Sequence, residues 1–387
     1  MRIAILALVA FSFVISWLLT FAMIRIAPRL GFVDKPGGRK IHANPKPLGG
    51  GVAIFWALAL PMLMLLLLAQ REVIPNTLWA VWTALSDPAQ FEGSAARQLE
   101  AYLGGVREKT PLALAILAAA LLLHALGLID DRKALGPYLK LIVQLGAAGA
   151  AVLPFREMRI LTATLGTVPS IVVSILWVVA ITNAFNFLDN MDGLSAGVAA
   201  VATTAFLITT LLIGQWFVAG TLALLLGALL GFLCFNFPPA RIFMGDSGSL
   251  IIGFLLGVLT VRTTFLPKGQ DWGAGWYAVF APLIVLAVPL YDLIVVSIIR
   301  ISRGKSPFVG DTNHFSHRLV ARGMSRRTAV LTLYLLTAAT SVAAILLPYV
   351  TTTFAAMLIF AQTLLVLGVV ALLEQHPLPS AHLEDGK

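Results

Sequence analysis

Asn183, Asn186, Asp189 and Asp192 follow one another at intervals of three in NAFNFLDNMDGL (183–194), directly behind the apolar run VPSIVVSILWVVAIT (168–182). Four other stretches have the same character. They are DKPGGRKIHANPKPLGGG (34–51), GLIDDRKALGPYLK (127–140), FNFPPARIFMGDSGS (235–249) and GDTNHFSHRL (310–319). Asp130, Asp131, Asp189, Asp192 and Asp246 supply five carboxylates with few positive charges nearby. Mg²⁺ typically takes one or two carboxylates, with water and substrate phosphates completing its shell, so phosphate chemistry with a divalent cation suits this set. The glycines of MGDSGS let backbone amides approach a phosphate at the start of a helix, an end that favours anions. KPGGRK offers flexible basic side chains for a second anion.

Each cluster also has a plain reading. An acidic pair can cap a helix, DGL can be an ordinary turn, and His314 and His317, at i and i+3, can be a surface pair on one helical face. His124 stands alone in an apolar segment and reads as structural. Asp292, in VPLYDLIVV, is a single acid within an apolar segment. Such acids are functional candidates by default, but it could equally orient Arg300. Cys234 is the one cysteine, which excludes an internal disulfide and any multi-cysteine metal site; it reads as a small core residue.

The elements that must position these residues belong to a membrane. Of 387 residues, 59% are hydrophobic and 12% charged, against about 25% charged in soluble domains. Apolar runs long enough to cross a ~30 Å hydrocarbon core recur. They predict an all-α polytopic bundle of eleven transmembrane helices, at 3–28, 48–70, 111–129, 138–155, 168–186, 196–213, 216–234, 248–265, 276–299, 328–347 and 350–373. The first is too long for a signal-peptide core and lacks a small-residue cleavage site. One integral-membrane domain over 1–373 is expected, with an external loop at 71–110 and a short cytoplasmic tail at 374–387. SAARQLEAYLGG (94–105) in that loop would suit an amphipathic helix at the outer interface.

Lys and Arg tend to stay on the cytoplasmic side. Loop 29–47 holds five basic residues against Asp34, and loop 300–327 holds seven against Asp311, whereas 71–110 is acid-balanced. This places the N-terminus outside, the C-terminus inside, and all five polar clusters on the cytoplasmic face. Much of the net charge of +9 is then topological signal and attraction to anionic lipid. No basic stripe interleaved with aromatics points to nucleic acid.

In this order, the motifs resemble those of the polyprenyl-phosphate N-acetylhexosamine-1-phosphate transferases, the WecA-like branch of a superfamily that also holds the MraY transferase of peptidoglycan synthesis. The resemblance runs from Asp34 to Leu319. It implies a bacterial cytoplasmic-membrane enzyme that uses Mg²⁺ (or Mn²⁺), a UDP-N-acetylhexosamine and polyprenyl (undecaprenyl) phosphate, releases UMP and initiates a lipid-linked envelope glycan; a homodimer is left open. Carried over by motif, Asp246 is the principal metal ligand, with Asp189 near metal and diphosphate. Asp130 and Asp131 lie near the lipid phosphate, with Asp130 as candidate base. Asn186, Asp192, Asn236 and Phe243 line the nucleotide pocket, with Asp192 toward uracil and Phe243 stacking on it. His314 and His317 lie near the diphosphate, and Arg39, Lys40 and His42 bind substrate. Two positions depart from the family pattern. Asn190 stands for the first glycine of DGxDG, where an asparagine tolerates positive φ, and Ser316 stands for the middle histidine of HxHH. The alternatives are the pentapeptide-bearing UDP-sugar transferase and, from another class, an ion-coupled transporter. Transporters place such acids near the bilayer midplane on repeated broken helices, a pattern not found here.

Overall fold

The computed structural model describes residues 2–34, 45–70, 94–263, 276–308 and 313–375. Every apolar segment expected from the sequence is helical. In chain order the helices are α1 (Arg2–Arg29), α2 (Gly50–Gln70), α3 (Ser94–Arg132), α4 (Pro137–Val152), α5 (Thr167–Leu188), α6 (Leu194–Leu212), α7 (Trp216–Asn236), α8 (Asp246–Arg262), the pair α9 (Ala281–Val285) and α10 (Ala287–Ser302), the short α11 (Phe315–Ala321), α12 (Arg326–Leu346) and α13 (Thr353–Gln375).

By length and composition, eight helices among the described residues can cross a membrane, or nine if α9 and α10 count as one bent span. The eleven expected spans also include α4 and α8, which are shorter. With 16 residues, α4 reaches only ~24 Å at 1.5 Å per residue. Helix α8, with 17 residues, is buried along almost its whole length and forms the centre of the bundle, against α2, α3 and α5. A helix so enclosed by protein need not match the hydrocarbon thickness. The 69° bend between α9 and α10 has a local cause in Pro289, whose ring clashes with the carbonyl four residues back and which has no N–H to give.

Two other expectations change. Residues 94–103, read as a separate interfacial helix, are the first turns of the 39-residue α3. Cys234, read as core, is exposed on α7. Helices α6 and α7 form a tight hairpin that turns at Gly214 with φ +75°.

The helices that carry motifs meet at one end of the bundle. A two-stranded antiparallel ribbon, β1 (Val33–Asp34) and β2 (Lys46–Pro47), leads into a bridge between Leu48 and Phe243. There the Phe243 N–H donates to the Pro47 carbonyl at 2.9 Å and the Gly51 N–H to the Met244 carbonyl at 3.1 Å. Close approach is essential here. A Cβ on Gly127 of α3 would lie 2.3 Å from the Ser247 nitrogen, so only glycine lets α3 pass the start of α8.

Candidate active site

Asp246 is the first residue of α8 and the point where three motifs converge. Its carboxylate accepts from Asn186 Nδ2 at 2.9 Å and from Lys140 Nζ at 2.9 Å. Lys140 also reaches Asp130 at 3.1 Å, while the other Asp130 oxygen accepts from the Leu135 N–H at 2.7 Å. Asn186 bridges on to Ser249 Oγ at 2.9 Å. Asp131 accepts from the backbone N–H of Asp246 at 2.8 Å and of Ser247 at 3.2 Å. The anion-favouring start of α8 is thus filled by the protein's own carboxylate rather than left for a phosphate, contrary to the expectation from MGDSGS. Gly245, at φ +73°, shapes this turn, and a Cβ there would lie 2.6 Å from both Asp131 oxygens.

Asp189 caps the end of α5 beside the same cluster. Burial, and after it the charges of Asp246 and Asp131, push its carboxyl well above the usual carboxylate range, while a bond from the Gly245 backbone pulls the other way. Among the described residues, Lys140 is the one ammonium bonded to this group of four carboxylates, and it reaches Asp130 and Asp246. Among the described residues no three acidic or histidine side chains form a ready coordination shell for a metal ion. The donor chemistry nevertheless fits a hard cation with an incomplete protein shell, because Asp246 and Asp189 offer carboxylate oxygens amid uncompensated negative charge.

The remaining motif residues mostly brace the loops around this cluster. Asp192 accepts from the Ala240 N–H at 2.9 Å. Asn236 accepts from the Gly193 N–H at 3.0 Å and donates to the Ile242 carbonyl at 2.9 Å, so both ends of its amide hold backbone. Phe243 is half-buried beside Leu48. Asn183 does not join the site, because its amide is bonded to Gln144 Oε1 at 2.6 Å and to the Val179 carbonyl. His124 is a core residue, as expected, stacked on Phe55 and bonded to the Ser247 carbonyl at 3.0 Å. His314 is buried and pairs with Asp292 at 2.8 Å. His317 is half-buried with its ring 6.5 Å from that of His314, and burial, more than any neighbouring charge, holds it below the usual imidazole range.

Residues 113–264 match the model of glycosyl transferase family 4. A Bacillus subtilis (strain 168) protein described as "Probable undecaprenyl-phosphate N-acetylglucosaminyl 1-phosphate transferase" is 30% identical over 361 residues, covering 90% of this chain and 87% of its own. The chain belongs to glycosyl transferase family 4. Another member of the family, the decaprenyl-phosphate N-acetylglucosaminephosphotransferase of Mycobacterium tuberculosis (strain H37Rv), is 32% identical over 345 residues, covering 83% of this chain and 77% of its own. The phospho-N-acetylmuramoyl-pentapeptide-transferase of Desulforudis audaxviator is 36% identical over a shorter 200 residues, covering 45% of this chain and 60% of its own.

The two departures from the family pattern turn out to be partners. Ser316 Oγ donates to Asn190 Oδ1 at 2.6 Å, and Asn190 Nδ2 donates to the Phe187 carbonyl at 2.6 Å. Asn190 does not take the positive φ expected of a glycine replacement; that conformation falls on Gly193. Lys140 was not singled out from the sequence. It lies ten residues beyond Asp130, and only the turn through Gly136–Pro137 brings it back. Asp292 orients His314 rather than Arg300. Arg39, Lys40 and His42, Asp311, residues 71–93 of the external loop and the tail from 376 lie outside the described residues.

Proposed function

We propose that this chain transfers an N-acetylhexosamine 1-phosphate from a UDP-sugar to polyprenyl phosphate and releases UMP, with UDP-N-acetylglucosamine as the donor. The observation that carries this reading is the convergence on Asp246 of Asn186, Lys140 and Asp131, from two other motifs far from it in sequence, within a chain that aligns along most of its length with polyprenyl-phosphate N-acetylglucosamine phosphotransferases. The muramoyl-pentapeptide reading has less support, since that relative aligns with under half of the chain. A transporter is disfavoured because the carboxylates sit at helix ends rather than midway along spans.

In the proposed reaction an oxygen of the lipid phosphate attacks the β-phosphorus of the UDP-sugar. A new P–O bond forms, the bond from the β-phosphorus to the bridging oxygen breaks, and its electron pair leaves on UMP. A phosphate monoester with a second pKa of about 6 is already mostly deprotonated at neutral pH, so direct displacement needs little help from a base. Asp130 is assigned to the acceptor side and is the candidate base; Lys140, between Asp130 and Asp246, is placed to neutralise an incoming phosphate. Asp246 and Asp189 would hold Mg²⁺ or Mn²⁺, which supplies charge neutralisation at the diphosphate. Asp131 keeps Asp246 aligned by capping its helix. Asp192, Asn236 and Phe243 shape the nucleotide side, and Arg39, Lys40 and His42 are assigned to substrate binding.

The motif end is assigned to the cytoplasmic side of a bacterial inner membrane, with the N-terminus outside. A cysteine at Gly136, in a Cys234→Ala background, should then label only from inside, and one at Gly214 from outside. The reaction is tested by supplying purified protein with undecaprenyl phosphate and UDP-N-acetylglucosamine. UMP should appear only with the lipid phosphate and the metal; UDP as the nucleotide product would mean that the sugar alone moves.

A further inference from the structure

Asp292 is a wholly buried carboxylate on α10, which is costly in an apolar setting unless donors satisfy it. Two do. Oδ1 accepts from the Phe315 N–H at 2.6 Å, capping the start of α11, and Oδ2 is 2.8 Å from His314 Nδ1. A carboxylate can only accept, so Nδ1 carries a proton, and a guanidinium can only donate, so the Nε2 that faces one is the acceptor. Nε2 faces the guanidinium of Arg300 at 3.3 Å. Arg300, also buried, donates to the Pro307 carbonyl at 2.7 Å and lies over the Phe187 ring, 4.8 Å from its centroid. The edge-on His314 ring packs on that same phenyl at 5.6 Å. Phe187 stands two residues before Asp189.

Both nitrogens of His314 are therefore engaged by protein, between a carboxylate and a guanidinium. His317, one turn on, is half-buried instead, beside the Asn190 backbone. The Ser316–Asn190 bond ties the same short helix to the turn that carries Asp189.

We infer that Asp292 is a positioning residue which, through His314, fixes α11 against the catalytic turn, so that His317 and not His314 is the histidine that meets the substrate. The inference deepens the transferase reading and rests on it for the identity of that substrate. Replacement by asparagine shows why the charge matters. With its carbonyl on the Phe315 N–H, the Asn side chain turns an NH₂ toward Nδ1. His314 then becomes the Nε2–H tautomer, whose proton points at a guanidinium that can only donate, and the link to Arg300 opens.

The test combines a structural and a kinetic readout on the full chain. ¹⁵N-histidine NMR of the wild type, assigned with His314→Asn, should show His314 as the Nδ1–H tautomer, and Asp292→Asn should lose that signal. In the UMP-release assay Asp292→Asn should lower kcat by about 10- to 100-fold, the range seen when a group that orients a reactive side chain is removed, with KM for the UDP-sugar within about threefold. The double variant Asp292→Asn/His317→Ala should be no more than about threefold worse than His317→Ala, since residues acting through one another are not additive; a merely structural Asp292 would make the two penalties multiply. His314→Asn keeps a donor to Asp292 and should stay more active than His317→Ala, which also covers the case in which Asp292→Asn does not fold. A near-wild-type His317→Ala beside a dead His314→Asn would overturn the inference, and so would an Nε2–H tautomer in the wild type. The NMR arm needs no turnover, so an Nδ1–H signal without UMP release would sink the transferase reading and leave the Asp292–His314 link standing.

Discussion

Two groups of polar residues lie at the motif end of the bundle, and they differ in charge balance. Around His314, one carboxylate is met by an imidazole N–H and a backbone N–H, and the imidazole is met in turn by an arginine. Around Asp246, the ammonium of Lys140 is shared by Asp246 and Asp130, and Asp131 and Asp189 lie beside them with no bonded cationic side chain among the described residues. A balanced, fully bonded group holds shape, and adding a ligand would break bonds already made. An unbalanced group carries unneutralised charge that a cation can relieve. Charge balance, more than residue type, separates the part that binds from the part that braces.

The largest expected effect comes from the unbalanced group. Asp246→Asn removes the anionic ligand on which three motifs converge, and turnover should fall by about a thousandfold or more while the purified protein stays monodisperse; a loss of tenfold or less would place the metal elsewhere. Asn186→Ala removes one donor to Asp246 and should cost about 10- to 100-fold, read as UMP release at saturating substrate. Asp189 adds a pH dependence. Its raised pKa means that a proton competes with the cation, so the Mg²⁺ concentration for half-maximal rate should fall as pH rises. That slope should flatten in Asp189→Asn; an unchanged slope would assign it to another group. The smallest effect belongs to the bracing side. Ser316→Ala deletes one hydrogen bond to Asn190, worth about 1 kcal/mol, and should change kcat by no more than about fivefold. A loss as large as that of Asp246→Asn would erase the distinction between the two groups.

Much of this was legible in the sequence, because membrane helices announce themselves by length and the motifs by polar residues where apolar runs end. Asp130, Asp131, Asp189 and Asp246 were placed at one end correctly, since each closes or opens a run. Lys140 was not, because its role depends on a turn that reverses the chain. Asn236 and Asp131 were read as facing ligands, yet both hold backbone; residue type does not show which partner a side chain takes. Cys234 was misjudged because α7 is apolar on every face, so its sequence pattern cannot separate a buried side from an exposed one. The enclosure of α8 is not legible for a related reason, since hydropathy does not tell a helix enclosed by protein from one that must match the bilayer.

The central claim is that the charge-unbalanced group around Asp246 holds the cation and the balanced group around His314 does not. Titration of the purified chain with Mn²⁺, followed by the loss of free-ion EPR signal, tests it without turnover. The wild type should bind Mn²⁺, Asp246→Asn should bind about tenfold or more weakly, and Asp292→Asn should bind as the wild type does. Equal binding by wild type and Asp246→Asn, or a matching loss in Asp292→Asn, would contradict the account.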